Sequence, residues 1–424
     1  MNFRGDSVRA FFSRFSPQAR MFMAFCTIAL VFIIATALAL MDAGPSGDAV
    51  NFYGQALLFK EGLLPYAEFE FEFPPLALIF FSIPIIFTTD LTVYCWIFAV
   101  MCAVLMAISA YCIMRMAPSE RLAYLAAALF SILVLVYITE SVKKFDGIAM
   151  SLTVMALFFF SKKRWWVAYA LMTAAALTKL YPCLFILLML GYNIIQSRDR
   201  FSAVREGLFS CIIVFLLVFI PMWIAGITFT ESFSFLGFHS DRGFHVESLV
   251  ATVLEALNLM GLTDIEIVPA HFTHDVSGPL ATALLPYWNY VIMAFMVSAV
   301  VLCFFLMRRS VAKWTVADLS LSMLFICIIF MLTNKVFSTQ YMMWIFPLIA
   351  MMFFVPELED RMRLLAVSAV VMQIFCIVFL QLETASLPYV VLCAIRDVLL
   401  IVFAITALRT LASKTGCRPF IRRA

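Results

Sequence analysis

Five polar clusters interrupt an otherwise apolar chain, and each contains residue types able to hold an anion or move a proton. The first begins Gly47-Asp48-Ala49-Val50-Asn51-Phe52-Tyr53, continues through Glu61-Gly62-Leu63-Leu64-Pro65-Tyr66 and ends Phe73-Pro74-Pro75-Leu76. An acid just beyond a long apolar run can serve as general base for a hydroxyl held at a lipid boundary, or it is a solvated loop acid. Between them, Glu68, Glu70 and Glu72 alternate with Phe69, Phe71 and Phe73 and read as a polar face over an apolar one. The second cluster, Glu140-Ser141-Val142-Lys143-Lys144-Phe145-Asp146, either orients an anionic head group or forms an ion pair that caps a helix.

Lys179 stands in Thr178-Lys179-Leu180-Tyr181-Pro182, where two short apolar runs must form a tight hairpin. A charge near membrane depth is costly and marks a functional site by default. A compact ammonium there can bind a lipid-linked phosphate as a point charge, with snorkelling to the surface as the alternative. The fourth cluster runs from Phe238 to Ser248; its Arg242 can grip phosphate in a bidentate way, and Glu247 can orient that arginine or contact a sugar hydroxyl. The fifth, Asn334-Lys335-Val336-Phe337-Ser338-Thr339-Gln340-Tyr341, leads into Trp344 and Pro347 and adds another lysine among aromatics. Tyrosine and tryptophan at such a boundary are also common as interface anchors. Arg396-Asp397, inside the last apolar run, reads as a neutralised pair lining the same cavity.

All four histidines, His239, His245, His271 and His274, fall in one segment. His271-x-x-His274-Asp275 lacks a third well-placed ligand, so no metal site is assigned and no cofactor is expected.

The elements that position these clusters follow from composition. The 424 residues are 65% hydrophobic and 13% charged, with a mean hydropathy of +1.03. Soluble domains carry about 25% charged residues, so this chain is an all-α, polytopic membrane protein. Its apolar runs supply about twelve spans at about 20 residues each, enough for a single membrane domain over residues 1–424. No G-x-G-x-x-G or G-x-x-x-x-G-K-[ST] occurs, which argues against a soluble nucleotide-binding unit, and no nucleic-acid partner is expected. The 11 cysteines lie almost all in apolar runs and suggest neither disulfides nor zinc.

The arginines before Met21 and the uninterrupted run from Met21 to Met41 predict an uncleaved first span with a cytoplasmic N-terminus. The run Pro74 to Thr88 decides the rest. As a thirteenth span it would put Lys162, Lys163 and Arg164 outside; as a short interfacial or re-entrant helix it leaves twelve spans and places 22 of the 29 lysines and arginines on the cytoplasmic side with both termini. The basic residues left outside are Lys60, Lys143, Lys144, Lys179, Arg242 and Lys335. The two long outer segments, 42–90 and 227–285, then hold most of the candidate residues, and chemistry is expected on the outer face of the plasma membrane.

In this order, Gly47-Asp48, Glu61-Gly62, Pro65-Tyr66, Phe73-Pro74-Pro75-Leu76, Lys144-Phe145-Asp146, Lys179-Leu180-Tyr181-Pro182, Asp241-Arg242-Gly243 with Glu247-Ser248, and Asn334-Lys335 with Gln340-Tyr341 resemble glycosyltransferase family 87. This is a polyprenyl-phosphate-sugar-dependent branch of the GT-C superfamily. The resemblance covers residues 47 to 347 and departs at Ser338-Thr339-Gln340-Tyr341, where the family commonly has a proline before the glutamine. It implies a GT-C-type fold with short juxtamembrane helices in the first outer loop and Asp48 at the position of the catalytic acid. Lys144, Lys179, Arg242 and Lys335 are then expected on the donor phosphate, and Tyr66, Asp146, Tyr181, Glu247, Gln340 and Tyr341 around donor or acceptor.

The expected reaction is transfer of a hexose, mannose first among them, from polyprenyl phosphate to a hydroxyl of a lipid or cell-envelope glycan, without a metal and with inversion. Two rival readings remain. A transporter or flippase shares the intramembrane charges but calls for symmetric halves, which the sequence lacks. A GT-C ligase would move a whole glycan from its polyprenyl carrier.

Overall fold

The structure is a computed structural model that describes residues 14–415, except 46, 142, 239–241 and 271–272. Apolar runs free of breakers become helices, and their starts are set by side-chain caps. Helix α1 (Pro17–Ala43) begins with Ser16 accepting the Ala19 N–H and Pro17 in the first turn. Beyond it lie α2 (Asp48–Lys60) and α3 (Leu76–Ile85), then α4 (Leu91–Met116), capped by Asp90. The chain continues through α5 (Glu120–Val136), α6 (Asp146–Ser161), α7 (Trp165–Thr178), α8 (Cys183–Gln196) and α9 (Arg200–Ile224). After α10 (Leu249–Leu259) come α11 (Pro279–Arg309), α12 (Val316–Thr333), α13 (Met342–Met351), α14 (Met362–Phe379) and α15 (Leu387–Ser413).

Among the described residues, seven helices are long and apolar enough to cross a membrane: α1, α4, α9, α11, α12, α14 with its preceding turn, and α15. The other runs expected to span are helical too, but α5, α6, α7, α8 and α13 are shorter than the about 20 residues a full crossing needs. The run from Pro74 to Thr88 yields only the ten-residue α3, about 15 Å at 1.5 Å per residue, too short to cross.

The bundle is organised around α6, α12 and α13, whose side chains are almost all buried. In contrast, α9 and α11 present Leu208, Phe209, Leu217, Ile224, Met293 and Val301 outward. An apolar exterior of that extent suits lipid, not water.

The two long segments are folded. In 42–90, α2 and α3 lie on the bundle through an aromatic cluster: Phe52 stacks on Phe81 at 4.1 Å between ring centres, and Phe73 meets Phe145 edge-on at 4.8 Å. In 227–285, α10 is joined by a three-stranded antiparallel sheet, an addition to the all-α expectation. Its strands β1 (Phe244–His245), β2 (Glu266–Ala270) and β3 (Thr273–Ser277) lie in the order β1-β3-β2, with Val268 opposite Asp275.

Candidate active site

Both key aspartates open helices. Gly47 precedes α2 at φ +64°, a left-handed conformation that glycine adopts without the penalty a side chain would bring. Asp48 is therefore the first helical residue, where the α2 dipole favours a negative charge. Asp146 occupies the same place on α6. The aromatic cluster brings the two helix starts together, and each aspartate receives a lysine.

Lys144 Nζ donates to Asp48 Oδ2 at 2.9 Å, and both side chains keep contact with solvent, at 20% and 40% exposure. Burial works against the Lys144 charge, but Asp48, together with Glu140 and Asp146, outweighs it and raises the ammonium above its ordinary value. Lys179 Nζ donates to Asp146 Oδ1 at 2.6 Å, deeper in the protein, with the aspartate fully buried. The same oxygen accepts the indole N–H of Trp344 at 2.7 Å. Three aromatic rings surround the ammonium: Phe145 at 4.6 Å, Tyr341 at 5.2 Å and Trp344 at 5.4 Å from their centres. Trp344 is sandwiched between Tyr181, at 4.2 Å, and Tyr341, at 4.1 Å. Trp344 is thus a buried scaffold residue and not an interface anchor.

The 227–285 segment closes the site from the other side. Arg242 is buried beside β1, donates to Thr273 Oγ1 at 2.8 Å and, among the described residues, has no partner for its Nε. A buried guanidinium N–H left open is a ready donor for an anion. The backbone N–H of His245 donates to the Lys335 carbonyl at 3.0 Å, and His245 Nδ1 lies 2.8 Å from the Phe337 carbonyl. Burial holds the His245 imidazole below its ordinary pKa, so it is a neutral clamp between β1 and the 335–337 stretch. Lys335 is itself buried.

Glu247 Oε2 accepts both the backbone N–H of Thr339, at 2.6 Å, and its hydroxyl. A proline at this position, common in the family resembled, has no N–H to give. The departure from that pattern therefore creates a contact. Arg396 Nη2 donates to the Glu247 carbonyl at 2.6 Å and Nε to Asp397 at 2.9 Å, so the intramembrane pair braces the back of the site. Gln340 keeps a buried Oε1 without a partner. Tyr66 donates its hydroxyl to the Phe73 carbonyl at 2.6 Å, and burial raises its pKa. It fixes the approach to Pro74-Pro75.

Sequence reading missed three members. Trp344 and Thr339 are described above. Glu72 is the third: assigned only to a polar face, it instead lies within electrostatic reach of Arg242, Asp48 and Lys179. Its one visible signal was its place directly before Phe73-Pro74-Pro75. His271 lies outside the described residues, while His274 sits on β3 facing Pro269, and among the described residues no cluster of metal-ligand type forms.

The profile of glycosyltransferase family 87 matches residues 71–333, well over half of the chain. The chain belongs to glycosyltransferase family 87. It is a membrane glycosyltransferase with a GT-C-type fold. A solved structure similar to it is that of ArnT from Cupriavidus metallidurans bound to undecaprenyl phosphate, at 13% identity and a TM-score of 0.52, covering 93% of this chain and 77% of that one. At that identity the likeness concerns the fold. No curated protein matches the chain. Family membership sets aside the transporter reading and leaves donor, sugar and acceptor to the site.

Proposed function

We propose that this glycosyltransferase moves a hexose, with mannose the first to test, from a polyprenyl-phosphate donor to a hydroxyl of a lipid or cell-envelope glycan at the outer face of the plasma membrane. The observation that carries the reading is the pairing of Asp48 with Lys144 at a helix start, partly open to solvent, together with the mostly buried Lys179 and the buried Arg242 and Lys335. An undecaprenyl phosphate bound to the structurally similar ArnT supports a donor of this class.

In this mechanism the acceptor hydroxyl oxygen forms a bond to the anomeric carbon while the bond from that carbon to the phosphate oxygen breaks. The hydroxyl proton passes to Asp48, and the electron pair of the broken bond leaves on polyprenyl phosphate. A carboxylate is a far weaker base than an alkoxide, so proton transfer accompanies attack and does not precede it. Lys144, Lys179, Arg242 and Lys335 offset the charge that grows on the leaving phosphate, a role in which fixed cations act without reorganising. A single displacement inverts the anomeric centre. Tyr181, Glu247, Gln340, Tyr341 and Asp146 hold and orient.

The test is transfer of radiolabelled mannose from polyprenyl-phosphate mannose to membrane lipids, wild type against Asp48→Asn at equal folded amounts. Transfer lost only in the variant is the expected result. Transfer that survives in Asp48→Asn overturns the base assignment. No transfer by wild type from any polyprenyl-phosphate sugar overturns the donor class, and release of polyprenyl diphosphate would point to the ligase.

A further inference from the structure

Next to the site, a cleft of about 560 Å³ opens between the Tyr66–Phe71 stretch and the turn carrying Ser234 and Gly237. That volume lies within the roughly 300–1,000 Å³ typical of small-ligand sites. Its walls combine the rings of Tyr66, Phe69 and Phe71 with the carboxylates of Glu68 and Glu70.

The wall is held in shape. Tyr66 adopts φ +69°, unusual for a non-glycine residue, and is secured there by its hydroxyl bond to Phe73 and by a backbone bond from its N–H to the Phe69 carbonyl at 3.0 Å. Its ring packs against Phe235, at 6.1 Å between ring centres. Glu70 is close enough to Glu72 to repel it, and Glu72 in turn feels Asp48. The stretch that walls the cleft continues through Glu72 to Phe73, whose ring meets Phe52 of α2 at 5.9 Å and Phe145 beside Asp146 at 4.8 Å, so it leads from the cleft to the starts of both site helices. Among the described residues the Glu72 carboxylate makes no hydrogen bond or ion pair, unlike Asp48, Asp146 and Glu247, which are all engaged.

We propose that this cleft receives the acceptor, that the end of the acceptor seated in it is polyhydroxylated and free of phosphate, and that Glu72 accepts a hydrogen bond from the hydroxyl presented to Asp48. The inference rests on the glycosyl-transfer reading above. Aromatic faces suit the apolar C–H faces of sugar rings, and carboxylates accept hydroxyl hydrogen bonds but repel a phosphate. The arrangement separates the two substrates by charge. Cations gather where the donor phosphate belongs, and carboxylates line the acceptor side. Burial raises the Glu72 carboxyl above its ordinary pKa, an effect that Arg242 and Lys179 oppose and that Asp48 and Glu70 reinforce.

Gly237 supplies a test, because among the described residues a Cβ added there meets nothing within 4 Å. The full chain in phosphatidylcholine nanodiscs is titrated with mannobiose, octyl mannoside and mannose 6-phosphate by saturation-transfer NMR, and separately with undecaprenyl phosphate. The expected result is binding of the neutral sugars, weakened at least tenfold by Gly237→Trp, with undecaprenyl phosphate affinity unchanged within twofold. Glu72→Gln should narrow the preference for mannobiose over mannose 6-phosphate by at least threefold. A stronger response to octyl mannoside assigns a lipid-borne acceptor, and a stronger response to mannobiose a free glycan. Neutral-sugar binding that ignores Gly237→Trp overturns the cleft assignment. An unaltered preference in Glu72→Gln overturns the role of that residue. Failure of wild type to bind undecaprenyl phosphate instead overturns the donor reading itself.

Discussion

Two lysine–aspartate pairs meet at the stretch 144–146, Lys144 with Asp48 and Lys179 with Asp146, and they are built for opposite ends. The outer pair has an N–O distance of 2.9 Å and an aspartate 40% exposed, with no other side chain bonded to that carboxylate. The inner pair closes to 2.6 Å, its aspartate is fully buried, and the Trp344 indole with two further rings, Phe145 and Tyr341, holds it. Water and substrate can exchange with the outer pair at little cost. Opening the inner one would strand two charges in a dry environment. The same pair of residue types thus forms an exposed carboxylate at the rim, the proposed base, and a tightly held pair below it.

Asp48→Asn should cause the largest change in activity, a loss of about 10²–10⁴-fold in transfer for removal of a general base. Thermal unfolding should hardly move, because the lost ion pair is solvated. A variant that transfers normally would erase the functional half of the contrast. Asp146→Asn should do the reverse in stability: breaking a buried pair by removing one partner costs about 3–5 kcal/mol. Unfolding monitored by tryptophan fluorescence in nanodiscs would show it, and an unchanged midpoint would mean that the inner pair is no support.

How much of this was readable beforehand depended on whether a residue announced itself alone. Lys144, Lys179, Arg242 and Lys335 stand out because a basic residue in a loop that the charge count assigns to the side poor in such residues is conspicuous by type and place. The short helix α3 was legible from its length and its prolines. Trp344, Thr339 and Glu72 were not, since tryptophan, threonine and glutamate are ordinary near a membrane surface and gain meaning only from what packs against them. Thr339 shows the point most sharply: the sequence marks a missing proline, while only the fold reveals that the N–H so gained holds Glu247. Thr339→Val keeps that N–H and loses the hydroxyl, for an expected cost of about 1.5 kcal/mol, the lower end for a bond to a charged group. A loss of donor affinity without loss of stability would show that Glu247 serves the substrate more than the scaffold.

A third carboxylate sharpens the contrast. Glu255, on α10 in the 227–285 segment, is fully buried, and among the described residues neither of its oxygens has a hydrogen-bond partner. Burial raises its pKa to about 8, with Arg396 opposing. The folded protein therefore holds a proton there that the unfolded chain releases near pH 4.5, and stability must fall as pH rises from that value toward 8. Glu255→Gln, neutral in both states, removes this slope. Its unfolding midpoint should match wild type near pH 5 and exceed it by a few degrees near pH 8.5. Equal midpoints at both values would mean that Arg396 pairs with Glu255 in solution, making it a third ion pair of the inner kind.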